Sequence, residues 1–194
     1  MVFDSNQYSV LVVSAVEKFN DTIATLLPSS HYYPVRYVSN IAAAKRAFLE
    51  QRYDFVIINT PLPDELGVRF ASDTCNSAGT VSLLLVRAEI YDEVCDKVSD
   101  SGVFTLAKPT TVQTLSQALR WMGAVRERLR RLEKKATSIE EKMEEIRLVN
   151  RAKWLLIEKL RMSEADAHRH IERQAMDRCI SRREVSLDII RTYS

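Results

Sequence analysis

Short apolar runs and amphipathic stretches alternate along the chain up to about Met122. Apolar runs of strand length lie at Ser9–Ser14, Phe55–Ile58 and Val81–Val86, with weaker candidates at Tyr33–Val38 and Val103–Leu106. Between them, helical periodicity is found at Glu17–Leu27, Ile41–Gln51, Gly67–Asn76, Ile90–Ser99 and from Thr111 onward. Five strands interleaved with five helices predict right-handed βαβ units. The pattern therefore predicts an α/β domain with a five-stranded parallel sheet covered on both faces.

The longest periodic pattern follows this region and contains one glycine, Gly123, and no proline. Its apolar positions are separated alternately by three and four residues, which is the heptad spacing of a coiled coil. This stripe predicts a parallel homodimer along residues 122–150, although a single long helix packed against its own domain would also explain it. The predicted seam consists of Met122, Val125, Leu129, Leu132, Ala136, Ile139, Met143, Ile146 and Asn150.

Two capping signals divide the remainder of the chain into helices. Ser163 and Ser181 are each followed three residues later by an acidic residue, the pattern in which a serine caps a helix start. The tail is therefore predicted to fold into three helices, approximately Ser138–Leu160, Glu164–Cys179 and Arg182–Tyr193. Its predicted core consists of Ala152, Leu155, Leu156, Leu160, Ala167, Ile171, Ala175, Met176, Val185 and Ile189.

Charge is distributed unevenly along the chain. Residues up to Arg120 include ten basic and thirteen acidic side chains, whereas those from Trp121 onward include eighteen basic and thirteen acidic ones. A basic second half is compatible with an anionic partner, but an ordinary solvated helical surface explains so small an excess equally well. Three scattered cysteines and the lack of a secretory signal or apolar span predict a cytoplasmic protein with no membrane contact.

The strand ends of the first half resemble those of two-component receiver domains, which have a flavodoxin-like fold. The segment from Phe55 to Gly67 is similar to the third strand and following loop of a receiver, and Lys108 with Pro109 resembles its lysine and cis proline. The resemblance implies a site at the carboxyl ends of the strands. Here that site would contain Ser14, Ala15, Asn59, Arg87 and Lys108.

The residues that perform receiver chemistry are replaced in this sequence. Ser14 and Ala15 stand where a receiver has two acidic residues for Mg²⁺, Asn59 stands at the phosphoacceptor position, and Arg87 stands where a hydroxyl residue is expected. An amide is neither a comparable nucleophile nor an anionic ligand for a hard cation. We therefore expect a pseudo-receiver with no phosphoacceptor, no catalytic residue and no bound metal or cofactor. Lys108 is expected to bond strand-end carbonyls.

The tail resembles the ANTAR domain of bacterial transcription antiterminators. The matching segments are Arg151–Lys153, Met162–Ala167, Ala175–Arg178 and Ser181 with Glu184–Val185. The resemblance implies binding to paired hexaloop stem-loops in nascent mRNA, so that a terminator cannot form. Trp154, Glu172 and Ser186 depart from the usual ANTAR pattern.

Arginine-rich helices suit RNA because guanidinium groups pair with phosphates and stack on exposed loop bases. The alternative is a solvated face on which these bases pair with acids such as Glu158, Glu172 and Asp177. The candidate RNA-binding residues are Arg147, Arg151, Lys153, His168, Arg169, Arg173, Arg178, Arg182 and Arg183.

The sequence thus predicts a non-enzymatic regulator with a pseudo-receiver at 1–121, a coiled coil at 122–150 and an all-α three-helix ANTAR domain at 138–194. The expected partners are hairpin RNA, a second copy of the chain, and a sensor or regulatory protein. The competing hypotheses are a dimeric protein-interaction module and a DNA-binding response regulator, for which the capped last helix is the relevant feature.

Overall fold

The computed structural model describes residues 7–77 and 79–193; the outer limits of the predicted domains, at 1 and 194, lie outside them. The chain divides into two compact units, the first ending at Arg131 and the second beginning at Leu132. In the described part of the chain, no helix is long and apolar enough to cross a membrane.

The first unit is built on a five-stranded parallel sheet in the order β2-β1-β3-β4-β5. Each strand lies within two residues of its predicted limits. Pro34 is in β2, an edge strand, where a missing N–H costs least. The strands are β1 (Tyr8–Val13), β2 (Tyr32–Val38), β3 (Phe55–Asn59), β4 (Val81–Arg87) and β5 (Phe104–Lys108).

Helices cover both faces of this sheet, because alternate strand residues point into two separate apolar clusters. Leu11 and Val13 pack into one cluster, whereas Val10 and Val12 pack into the other. Gly67 has a φ of +74°, and a Cβ there would lie 2.9 Å from Ile41 Cδ1, so this turn requires glycine. The covering helices are α1 (Glu17–Leu26), α2 (Ile41–Glu50), α3 (Val68–Cys75), α4 (Tyr91–Val98) and the first part of α5 (Val112–Leu160).

A single helix, α5 (Val112–Leu160), contains the boundary between the two units. It is followed by α6 (Glu164–Asp177) and α7 (Arg182–Tyr193), close to the predicted limits. At the start of α7, Glu184 N–H donates to Ser181 Oγ and Ser181 N–H donates to the Glu184 carboxylate, a complete capping box. At the start of α6, Ser163 Oγ accepts the Asp166 N–H and donates to its carboxylate.

The core of the second unit is smaller than the sequence predicts. The predicted residues Met176 and Leu160 are exposed, and Leu155 is only half-buried. The buried set comprises Ala152, Leu156, Ala167, Ile171, Ala175, Val185 and Ile189.

Candidate functional site

The carboxyl ends of the central strands bring the residues of the degenerate receiver site together. Asn59, Arg87 and Lys108 are the last residues of β3, β4 and β5, and Ser14 directly follows β1. Asn59 Nδ2 donates to Ser14 Oγ over 3.0 Å, and Lys108 Nζ donates to Asn59 Oδ1 over 2.9 Å and to the Thr60 carbonyl. These hydrogen bonds connect Ser14, Asn59 and Lys108 in one chain, of which Lys108 is the charged member.

Ala15 is exposed and provides no side-chain donor or acceptor to this edge. Burial and, secondarily, the nearby Arg87 lower the pKa of Lys108. Within the described residues, no group of three or more His, Cys, Asp or Glu side chains is placed to hold a metal ion.

Asp54 and Asp64, the two aspartates nearest to Asn59 in the sequence, form hydrogen bonds or ion pairs outside the degenerate receiver site. Asp64 accepts the backbone N–H groups of Ile41 and Ala42 at the start of α2. Burial opposes ionisation of Asp64, but these hydrogen bonds outweigh it and lower its pKa. Asp54 precedes β3 and therefore lies at the opposite edge of the sheet from Asn59.

At that opposite edge, Asp54 holds α5 against the sheet. Its Oδ1 lies 2.7 Å from Arg126 Nε and 3.0 Å from the guanidinium nitrogen Nη2 of Arg130. Its Oδ2 accepts the Ser9 N–H over 2.9 Å. Burial opposes ionisation, but the bonds to Arg126, Ser9 and Arg130 together lower the pKa of Asp54. The sequence patterns above did not predict this cluster. The available signal was the pair of arginines one helical turn apart.

Tyr8 completes this cluster. Its ring stacks on Phe55 with centroids 4.8 Å apart, and the Arg130 guanidinium lies 5.0 Å from the Tyr8 centroid. The Tyr8 hydroxyl donates to Glu127 over 3.0 Å. Burial, followed by this bond to Glu127, raises the pKa of Tyr8 to about 12. The first unit therefore extends into α5 beyond the predicted limit at residue 121.

The predicted dimer seam needs correction at its start. Met122 is fully buried in the core of the first unit, and Leu129 packs against the same core. The heptad prediction is therefore wrong at Met122, because the sheet already covers that side of the helix. Further along, Leu132, Ile139, Met143 and Ile146 each expose at least half of their surface. Val125 exposes 36% of its surface, and Ala136 and Asn150 are exposed.

Most of the predicted RNA-binding side chains lie close to a carboxylate of the second unit. Glu172 is near two of them, His168 and Arg182, at 3.3 and 3.9 Å. Apart from Lys153, these side chains are well exposed. The pairs are Arg147–Glu144, Lys153–Glu164, His168–Glu172, Arg169–Asp166, Arg173–Asp177, Arg178–Asp188, and Arg182 with Glu145 and Glu172.

Arg151 and Arg183 differ from the other predicted residues. Both are exposed, and neither forms an ion pair or side-chain hydrogen bond with any residue that the structure describes. Arg151 lies on α5 and Arg183 in the first turn of α7. They are the two members of the predicted set whose charge is available without breaking an internal contact.

Comparison with known families identifies the second unit. Residues 137–190 match the ANTAR domain. The second unit of this chain contains an ANTAR domain. The ANTAR match includes the end of α5, all of α6 and most of α7.

Curated relatives include the transcriptional regulatory protein PdtaR of Mycobacterium tuberculosis, from strains CDC 1551 / Oshkosh and ATCC 25618 / H37Rv. Each is 29% identical over 140 residues, which cover 72% of this chain and 68% of the relative. The ANTAR-domain protein therefore shares most of its length with a transcriptional regulator.

Solved structures establish the receiver fold. The receiver domain of an HD-domain-containing protein from Pseudomonas fluorescens Pf-5 matches with a TM-score of 0.58 at 20% identity, covering 68% of this chain and 97% of that one. A receiver domain from Clostridium thermocellum matches with a TM-score of 0.54 at 21% identity, covering 63% and 98%. These likenesses concern the fold and not the chemistry of its strand ends.

Proposed function

We propose that this protein is a homodimeric RNA-binding antiterminator. It would bind two tandem hexaloop stem-loops in nascent mRNA and thereby prevent an overlapping terminator stem from forming. The observation that carries the proposal is the ANTAR match over residues 137–190. The likeness to a transcriptional regulator over 140 residues supports a role at the same level of gene expression.

The surface charge of the ANTAR domain is compatible with this role. Arg151 and Arg183 present guanidinium groups that have no carboxylate partner among the described residues. Most of the other predicted contacts are exposed ion pairs, and such pairs contribute only about 0–1 kcal/mol. RNA phosphates can therefore replace these carboxylates at low cost.

Dimerisation along α5 would place two ANTAR domains on one RNA. Leu132, Ile139, Met143 and Ile146 provide the exposed apolar stripe, and Asn150 at an a position would fix the register. Three charged pairs would flank the seam of a parallel dimer, two attractive and one repulsive: Arg128 with Glu133, Lys135 with Glu140, and Lys142 with Arg147.

Competition binding with the full chain tests the RNA proposal. The labelled probe is an RNA with two hexaloop hairpins, and the competitors are one hairpin, a tandem RNA with altered loops, and duplex DNA. We expect the tandem RNA to bind at least about tenfold more tightly than one hairpin, because the second contact is intramolecular. Affinity should fall steeply with salt as phosphate contacts release counterions.

The same experiment separates the competing hypotheses. Equal competition by duplex DNA would indicate a DNA-binding regulator, and a lack of binding to every nucleic acid would favour a protein-interaction module. The latter has one supporting observation, since Trp154 and Met176 expose most of their surface. Affinity that did not depend on loop sequence or salt would contradict the antiterminator proposal.

A further inference from the structure

Two cations stand side by side at the carboxyl edge of the sheet. Arg87 and Lys108 are paired residues of the neighbouring parallel strands β4 and β5. Paired residues of adjacent strands point to the same face, with the strands about 4.8 Å apart. Like charges placed directly opposite each other destabilise a sheet, so this pairing needs a physical explanation.

No carboxylate neutralises this pair in the described part of the chain. Both acceptors of Lys108 Nζ are uncharged, namely the Asn59 amide oxygen and the Thr60 carbonyl. The Arg87 guanidinium is exposed and makes no ion pair or hydrogen bond to any described residue.

The nearest acidic side chains in the loop after β3 are bound elsewhere. Asp64 accepts the N–H groups that begin α2, and Glu65 Oε1 lies 2.8 Å from Lys45 Nζ. The position from which a receiver's carboxylate would face Lys108 holds the neutral Asn59. The edge therefore carries uncompensated positive charge on two adjacent side chains.

We infer that this edge is a metal-independent binding site for a small phosphate-class oxyanion. The Arg87 guanidinium would bond two oxygens of the anion, since its planar donors match phosphate geometry. A lysine ammonium has three protons, and Lys108 uses two of them on Asn59 and Thr60, so one remains for the anion. Binding is reversible and forms no covalent bond. The source of the phosphate is either the free ion or a small phosphomonoester.

Calorimetric titration of the full chain tests this site, with inorganic phosphate and AMP as separate probes at constant ionic strength set by NaCl. We expect saturable binding by the wild-type protein and at least a tenfold loss of affinity in Arg87→Ala. Arg87→Lys should lie between the two, because it keeps the charge but loses the paired donors. The matched control is Arg69→Ala, an exposed arginine on α3 that should bind as wild type does.

Since Arg87 is exposed, its substitution leaves the core intact, and a far-ultraviolet circular dichroism spectrum checks this. Binding of both probes with similar affinity would identify any small phosphate group as sufficient, whereas binding of AMP alone would identify a phosphomonoester; either supports the site. Equal affinity in wild type and Arg87→Ala would overturn it. A tenfold increase in affinity on adding Mg²⁺ would equally overturn the metal-independent arrangement.

Discussion

Arg126 Nε lies 2.7 Å from Asp54 Oδ1 although the two residues are 72 positions apart in the chain. Both side chains are largely buried, and Arg130 and Ser9 bond the same carboxylate. This contact joins the start of β3 to α5 beyond the sheet. The contact thereby fixes the part of α5 that directly follows residue 121, the predicted end of the receiver domain.

Replacing Asp54 by asparagine should destabilise the first unit. The change leaves two arginines without their shared carboxylate, which should lower the free energy of unfolding by about 2–3 kcal/mol at neutral pH. Urea denaturation of wild type and D54N measures the difference. Asp73→Asn is the control, because its exposed contact with Arg69 is 3.9 Å long and should contribute almost nothing.

The pH dependence of this effect follows from the lowered pKa of Asp54. Stabilisation by the ionised carboxylate is fully present above the ordinary aspartate pKa of 3.8 and is lost as the pH falls through the lower folded-state value. The difference between wild type and D54N should therefore shrink in strong acid. A difference that stayed constant from neutral pH to well below 3.8 would show that charge is not its cause.

Phosphodonors should leave the protein unmodified. Asn59 stands at the acceptor position, Asp64 caps α2, and Asp54 is bound by arginines at the far edge of the sheet. Intact-mass spectrometry after incubation with acetyl phosphate and Mg²⁺ measures this, with a phosphorylatable receiver domain treated in parallel as the positive control. A stoichiometric acyl phosphate at Asp54 or Asp64 would refute the pseudo-receiver interpretation.

Charge introduced into the exposed stripe of α5 should produce monomers. Leu132→Glu with Ile139→Glu places four like charges in the seam of a dimer, and both side chains are half-exposed in the single chain, so folding should be preserved. Light scattering measures the mass and circular dichroism the helicity. Leu129 is unsuitable for this test because it packs against the core of its own unit.

Lys134→Glu with Thr137→Glu provides the matched control for the seam variant. Both residues are exposed and lie on the outer side of the heptad pattern, so this double variant should stay dimeric. If the seam variant also remained dimeric, the interface would lie outside α5. Seam monomers should still bind one hairpin but lose the advantage of the tandem RNA.

Arg151→Ala and Arg183→Ala should each weaken RNA binding by about tenfold, since a charge-assisted contact contributes about 1.5 kcal/mol or more. If each contacts a phosphate, the slope of log affinity against log salt should fall in magnitude by about 1 per variant. Fluorescence anisotropy at several salt concentrations measures both quantities. Arg69→Ala in the first unit should change neither. Unaltered affinity in both variants would place the RNA contacts on other side chains.

Much of the fold was predictable because it depends on local patterns. Apolar runs identified β1, β3 and β4, and weaker patterns identified β2 and β5, all within two residues; the Ser163 and Ser181 signals located α6 and α7. The replacement of acidic residues by Ser14, Ala15 and Asn59 was likewise visible in the sequence. Local propensity and hydrophobic period determine the strands and helices, and both can be measured along the chain alone. The replaced positions were identified through the resemblance to receiver domains.

Tertiary structure decided which surface covers each apolar or charged residue. The heptad pattern treats Met122 and Leu132 alike, but the sheet buries Met122 and leaves Leu132 exposed. Arg173 and Arg183 are both exposed arginines, yet of the two only Arg173 has a carboxylate of a described residue within 4.0 Å. The physical reason is that a period shows that a helix has an apolar or charged face, whereas burial and ion pairing depend on residues brought near it by the rest of the fold. The contact between Asp54 and Arg126 forms only because the sheet brings the start of β3 to α5.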